Sequence, residues 1–203
     1  MRRIEVLVEE PSAEAALQVL LPRIVQGRAR VKVINLGSKH ALLKKLEARL
    51  RGYADRLRGG EDVRVLVLVD RDQDDCTALK AQMERAAQAA GLITKSAACG
   101  GSPFTVVTRI AFEELESWFL GDPDALRATF PRLPQINLAA SPFRNPENGG
   151  SWEALHRVLK KHGYYRGTYP KIEAARRIAQ NMTSSANRTS SFRVFREGVE
   201  ACL

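Results

Sequence analysis

Val63-Arg64-Val65-Leu66-Val67-Leu68-Val69 is an almost unbroken run of branched aliphatic residues that stops at Asp70-Arg71-Asp72. A run of that kind reads as a strand covered on both faces, because a wet face would impose alternation with polar residues. Both faces of its sheet must then carry helices, and the neighbouring segments supply them. Ile4-Glu5-Val6-Leu7-Val8, Val31 to Leu36 and Phe104 to Thr108 read as three further strands. Between them, apolar residues recur at helical spacing. Ala13, Ala16, Leu17, Leu20, Leu21 and Ile24 follow Pro11-Ser12, and Leu42, Leu46, Leu50, Tyr53 and Leu57 mark a helix over residues 39–58. Leu79, Met83 and Ala86-Ala87 mark a third over 74–90, and Gly37-Ser38, Gly59-Gly60, Gly91 and Gly100-Gly101-Ser102-Pro103 separate the elements. The alternation predicts an α/β fold with a mainly parallel sheet of about four strands joined by right-handed crossovers.

Beyond residue 109 the pattern is helical, over residues 110–120, 123–130, 151–162, 169–182 and 190–200. A loop over 131–150 holds four of the nine prolines. The expected organisation is an α/β core, residues 1–121, with a helical C-terminal extension, residues 122–203, packed on it. A chain of 203 residues buries ~70% of the surface exposed by its unfolded form, so disulfides and metals are not needed for stability. The hydrophobic fraction of 44% and charged fraction of 27% exclude disorder. No apolar run approaches the ~20 residues of a membrane span, and Met1-Arg2-Arg3-Ile4-Glu5 is not a secretory leader. Cys76, Cys99 and Cys202 form no CxxC pair, and His40, His156 and His162 lack zinc-ligand spacing. A cytoplasmic protein is expected. The net charge of +9 divides as +5 in residues 1–100 and +4 in 101–203. A globally basic domain points to polyanions, nucleic acid first.

In an open parallel sheet the functional crevice lies outside the carboxyl ends of the strands. The first strand ends at Glu9-Glu10, the second near Lys39, the third at Asp70-Arg71-Asp72 with Asp74 and Asp75 behind, and the fourth at Thr108-Arg109 before Glu113-Glu114-Leu115-Glu116. Carboxylates thus gather at one edge of a basic protein. Like charges so placed repel unless a cation lies between them, and a hard-oxygen donor set favours Mg²⁺ or Mn²⁺. Asp70 and Asp72 are two apart, so in an extended segment they leave on one side. Asp74 and Asp75 read more simply as acids at a helix N-terminus.

At about 100° per residue, Ala111, Leu115, Trp118 and Phe119 share the apolar face of the helix expected over 110–120. Glu113 and Glu116 fall together on the polar side, with Glu114 on the other flank; a solvated acidic face is the competing reading. Glu9 follows its strand directly, whereas Glu14 sits in the first turn of a helix, where an acid is favourable anyway. Gly167-Thr168-Tyr169-Pro170-Lys171 reads as a helix start capped by Thr168. Lys171 then lies near the positive end of the dipole, where a cation is mildly disfavoured, so it reads either as a lysine placed to meet a phosphate or as an ordinary exposed lysine. Trp118 and Trp152 read as core rather than as base-stacking platforms.

The set of Glu9, Asp70-Arg71-Asp72 and a later acidic helix resembles the Toprim domain of topoisomerases, primases and overcoming-lysogenization-defect (OLD) nucleases. Val8-Glu9-Glu10-Pro11-Ser12-Ala13-Glu14, Val69-Asp70-Arg71-Asp72 and Arg109-Ile110-Ala111-Phe112-Glu113-Glu114-Leu115-Glu116-Ser117-Trp118 resemble the Toprim-like domain-of-unknown-function 4276 family. Gly149-Gly150-Ser151-Trp152-Glu153 and Tyr169-Pro170-Lys171-Ile172-Glu173-Ala174-Ala175 extend that likeness over most of the chain. The resemblance implies Glu9 as metal ligand or general acid/base, Asp70 and Asp72 as Mg²⁺ ligands, Glu113 and Glu116 as ligands of a second metal, and Lys171 as the basic catalytic residue. Lys39, Arg109 and Lys171 are the candidates for contacts to substrate phosphate. Glu9-Glu10-Pro11 departs from the Glu-Gly step common in Toprim proteins.

The expected activity is Mg²⁺-dependent hydrolysis of nucleic acid, DNA ahead of RNA, in a prokaryotic defence or DNA-repair setting. No GxxxxGK[ST] motif is present, so an AAA- or ABC-type ATPase would be a separate chain. The alternative is a non-catalytic nucleic-acid- or partner-binding module with a degenerate site. A haloacid-dehalogenase-like phosphatase fits poorly, since its Asp pair follows the first strand.

Overall fold

The computed structural model describes residues 1–99 and 101–203, so Gly100 of the expected turn lies outside the described residues. Strands β1 (Arg3–Val8), β2 (Arg30–Asn35), β3 (Val63–Asp70) and β4 (Val106–Ala111) form one parallel sheet in the order β2-β1-β3-β4. The fold is α/β with a four-stranded, all-parallel sheet. Strand β3 lies between β1 and β4, and Val65, Leu66, Val67, Leu68 and Val69 are at most 2% exposed, which accounts for the continuous apolar run.

Helices α2 (Lys39–Arg58) and α3 (Cys76–Ala89) pack against Leu7, Val63, Val65, Val67 and Val69 on one face. The side chain of Ser38 caps α2 by accepting the Ala41 amide at 3.2 Å, and Leu42, Leu46, Leu50 and Tyr53 form its buried stripe. Helix α1 (Pro11–Val25) covers the opposite face, against Ile4, Val6, Val8, Leu66 and Leu68. It shares that face with α4 (Glu116–Leu120), α5 (Pro123–Thr129), α6 (Ser151–Lys161), α7 (Lys171–Asn181) and α8 (Ser190–Ala201). Trp118, Phe130, Ile178, Phe192 and Phe195 belong to the same buried cluster as Ile4 and Leu20, so the helices after residue 121 share one core with the sheet. Among the described residues, no helix is long and apolar enough to cross a membrane.

Three boundaries differ from expectation. Strand β4 begins at Val106 and runs to Ala111, paired in register with β3 from Val65↔Val106 to Asp70↔Ala111. Its extent follows from its partner, which continues to Asp70; the mixed Val-Val-Thr-Arg-Ile-Ala composition suits an edge strand whose outer side meets only a short bridge, Val106 to Thr94, among the described residues. Consequently the helix expected over 110–120 is only Glu116–Leu120. Helix α7 begins at Lys171 with Pro170 in the cap position and no side-chain cap, so Thr168 does not serve as the cap.

Candidate functional site

The chain leaves β1 through α1 to reach β2 on one side, and β3 lies on the other side of β1. The gap between the carboxyl ends of β1 and β3 is therefore the switch point where open α/β sheets place ligands. Glu9, the first residue after β1, is 9% exposed. Its Oε1 accepts the backbone N–H of Asp70, the last residue of β3, at 2.5 Å. The two acids, sixty-one positions apart, meet across the switch point.

Burial pushes the Glu9 carboxyl up to about 7; the Asp70 amide and Lys39 pull it back, and Asp72 and Glu10 add to the rise. Asp70 is raised well above its ordinary range by burial, then by Glu9, Glu116, Glu10 and Asp72. Glu116 opens α4 and is fully buried, and among the described residues neither of its oxygens has a hydrogen-bond partner. Burial takes it up to about 7, opposed by Lys171 and reinforced by Glu10 and Glu114. Lys171 completes the group. Burial pulls its ammonium down, but Glu116, Glu10, Glu114 and Asp70 outweigh that and its shift is upward. The ammonium also lies 5.1 Å above the Trp152 ring.

The other acids are neutralised or used locally. Lys39 bridges Asp72 at 2.5 Å and Asp74 at 2.8 Å, and its ammonium donates to the Arg71 carbonyl at 3.1 Å. Strand β3 ends at Asp70 and Asp72 has a left-handed backbone, φ 49°, so alternation along an extended chain does not govern this pair. Glu113 is buried in an ion pair with Arg71 and precedes α4, so the helical angle that grouped it with Glu116 does not apply. Glu114 caps α6, accepting from Ser151 Oγ at 2.9 Å and the Trp152 amide at 3.0 Å. Asp75 caps α3 by accepting the Ala78 amide at 2.7 Å. Glu14 accepts from Gln18, one turn along α1, at 3.3 Å.

Arg109 lies within β4 rather than at its end, because that strand continues to Ala111. Its guanidinium is held by the carbonyls of Val194, at 2.8 Å, and Thr108, at 2.7 Å, and the carboxylate charges acting on it are Glu197 and Glu84. The structure thus brings Glu9, Asp70, Glu116 and Lys171 into one electrostatic group, places Lys39, Asp72 and Glu113 at its margin in ion pairs, and puts Arg109 against α8. Trp118 is buried, with Phe192 at 5.1 Å and Phe195 at 4.9 Å between ring centroids.

Two members of the group were not singled out by sequence reasoning. Glu10 acts on Glu9, Asp70, Glu116 and Lys171, and its own carboxylate accepts the Ser12 hydroxyl. Its position directly after Glu9 was the available signal. Tyr169 is 6% exposed, its hydroxyl has no partner among the described residues, and Glu116 is the first charge acting on it. Among the described residues, no three His, Cys, Asp or Glu side chains converge closely enough to hold a metal as they stand. The donor chemistry nonetheless fits a hard cation: among the described residues Glu9, Asp70 and Glu116 are oxygen donors without a salt-bridge partner, and both oxygens of Glu116 are unpartnered.

A family model described as a domain of unknown function (DUF4276) matches residues 8–200. The solved C-terminal region of the OLD protein of Xanthomonas campestris pv. campestris is similar in fold, with a TM-score of 0.51 and 14% identity, over 100% of this chain and 96% of that chain. No curated protein matches the sequence.

Proposed function

The chain belongs to the DUF4276 family, and from that membership and the site geometry we propose that it is a Mg²⁺- or Mn²⁺-dependent hydrolase of nucleic-acid phosphodiesters, of the Toprim type found in OLD nucleases. The observation that carries the proposal is the meeting of Glu9 and Asp70 across the β1/β3 switch point, with the buried, unpartnered carboxylate of Glu116 acting on Asp70. A fold shared with the C-terminal region of an OLD protein supports it.

Glu9 and Asp70 would hold the cation, with Glu116 and Glu10 available for a second. A divalent cation so held supplies an activated water and neutralises charge on the phosphoryl oxygens. The protein's own contribution is electrostatic. Lys171, drawn toward Glu116, Glu10, Glu114 and Asp70 and seated over Trp152, is placed to meet phosphoryl oxygens as negative charge grows on them. Lys39 holds Asp72 and Asp74 at the margin, where its ammonium can exchange a carboxylate for a substrate phosphate. The OLD likeness extends the proposal to a cytoplasmic defence or repair role with a separate ATPase.

The second reading is a nucleic-acid-binding module with a degenerate site. It is favoured by the neutralisation of Asp72 and Glu113 and by the lack, among the described residues, of a ready metal cage. One experiment decides between them. Plasmid, single-stranded DNA and RNA are incubated with the protein and Mg²⁺ or Mn²⁺. Cleavage that stops with chelator and falls at least about 100-fold in Asp70→Asn supports the hydrolase. Binding without cleavage, unchanged in Asp70→Asn, supports the module.

A further inference from the structure

The net charge of the chain is concentrated in one edge of the sheet. Residues 28–58 contain ten Lys and Arg against two acids, Glu47 and Asp55, leaving only +1 of the total +9 for the remaining 172 residues. These thirty-one residues run from the turn before β2 to the end of α2, and β2 is an edge strand paired with β1. The pairings Arg3↔Arg30, Glu5↔Lys32 and Leu7↔Ile34 set Arg30 and Lys32 on the face that α2 covers, since Leu7 packs there. Beyond the edge of α2 a groove of about 500 Å³ stays open, walled by Lys32, Arg3, Arg49 and Arg56. Its two carboxylates are occupied: Glu5 by Tyr53 at 2.6 Å and Arg56 at 2.9 Å, Glu61 by Arg56 at 2.9 Å and Arg3 at 3.8 Å. Arg30, Lys32, Lys44, Lys45 and Arg49 are exposed and have no carboxylate partner among the described residues.

We propose that this β2–α2 face is a binding track for the phosphodiester backbone of nucleic acid, leading along α2 to the carboxylate rim. Helix α2 has 20 residues, about 30 Å of length, long enough to follow several successive phosphates. Its first residue, Lys39, holds Asp72 and Asp74 beside the exit of β3, so a backbone lying on the face reaches the rim at that end. An anionic membrane is the competing polyanion. Surface-binding faces for lipid combine cations with apolar side chains that enter the bilayer, and the exposed large apolar residues Met1, Ile93, Phe112, Leu138, Ile172 and Val194 all lie outside residues 28–58. Binding by the face is independent of the hydrolase reading; delivery of the backbone to the rim rests on it.

The test is fluorescence anisotropy with a labelled DNA duplex across a range of KCl, in chelator so that no cleavage intervenes. Five phosphate contacts give a slope of log K against log salt of about −4.5, a loss of roughly 500-fold between about 50 and 200 mM. The double variant K32A/R49A should weaken binding and shallow the slope by about 1.8, whereas K160A/K161A on α6, with the same loss of charge, should leave the slope unchanged. Thermal unfolding of each variant confirms that it is folded. Equal effects of the two pairs, or an unaltered slope in K32A/R49A, would overturn the proposal. So would phosphatidylserine vesicles that compete for the protein as effectively as DNA. A protein that binds through this face in chelator yet never cleaves with Mg²⁺ leaves the track standing and removes only the hydrolase reading.

Discussion

Replacing Glu116 with Gln should stabilise the metal-free protein, and by an amount that depends on pH. Glu116 is fully buried with both oxygens unpartnered, and burial moves its carboxyl from 4.5 to about 7. With the folded value above the unfolded one, the unfolded chain releases this proton first as pH rises. The cost to folding is thus absent below 4.5, grows between 4.5 and about 7, and is constant above. These values correspond to about 3 kcal/mol at pH 8 and less than about 1 kcal/mol at pH 5. Gln keeps the volume and removes the charge. The gain from Glu116→Gln should follow the same course, appearing as roughly 6–12 °C in Tm at pH 8 and a few degrees at pH 5. The attraction of Lys171 is already contained in the value of about 7. Urea unfolding followed by circular dichroism at pH 5, 6, 7 and 8, in chelator, measures it. A stability difference that is the same at every pH, or a variant less stable throughout, would refute the picture of an uncompensated buried carboxylate.

Three further outcomes are expected. Mg²⁺ or Mn²⁺ at 100 times its Kd should raise stability by about 2.7 kcal/mol in the native protein at pH 8 and do so far less in Asp70→Asn; equal shifts in the two would remove Asp70 from the site. Burial alone would raise Glu5, but its bonds to Arg56 and Tyr53 leave it below 4.5, so the stability it adds is present above that pH and lost as pH falls through its folded value. Glu5→Gln should cost about 1–3 kcal/mol at pH 7 and flatten acid unfolding. Gly121→Ala places a Cβ 2.5 Å from Thr189 Cγ2 and 2.8 Å from Asn187 Oδ1. Asn187 is held by the Trp118 carbonyl at 2.6 Å, so a loss of about 1–3 kcal/mol in chemical unfolding is expected.

Most of the fold was legible because burial leaves a direct trace in residue order. A strand covered on both faces must be apolar throughout, and helices α1, α2 and α3 must repeat apolar residues every three or four positions. The errors fell where that trace is weak. Strand β4 is an edge strand, and its extent is imposed by register with β3, which continues to Asp70. The false helix start at residue 110 then misplaced Arg109 at a strand end and paired Glu113 with Glu116 by an angle that does not exist. Dividing the charge between two halves hid the basic edge, because acids at the exit of β3 cancel it within residues 1–100.

The order of residues by itself determined the alternation of strands and helices, and with it the delivery of Glu9, Glu10 and Asp70 to strand ends. Tertiary structure alone decided which carboxylates stay uncompensated. Arg71 reaches Glu113 and Lys39 reaches Asp72 and Asp74, whereas Glu116 is enclosed with no partner for its oxygens. It also decided that β2 would be an edge, which turns a stretch of basic residues into a face. The reason is that a charge's free energy is set by its solvent exposure and by neighbours within a few ångströms. Those neighbours come from distant parts of the chain and are assembled only by packing.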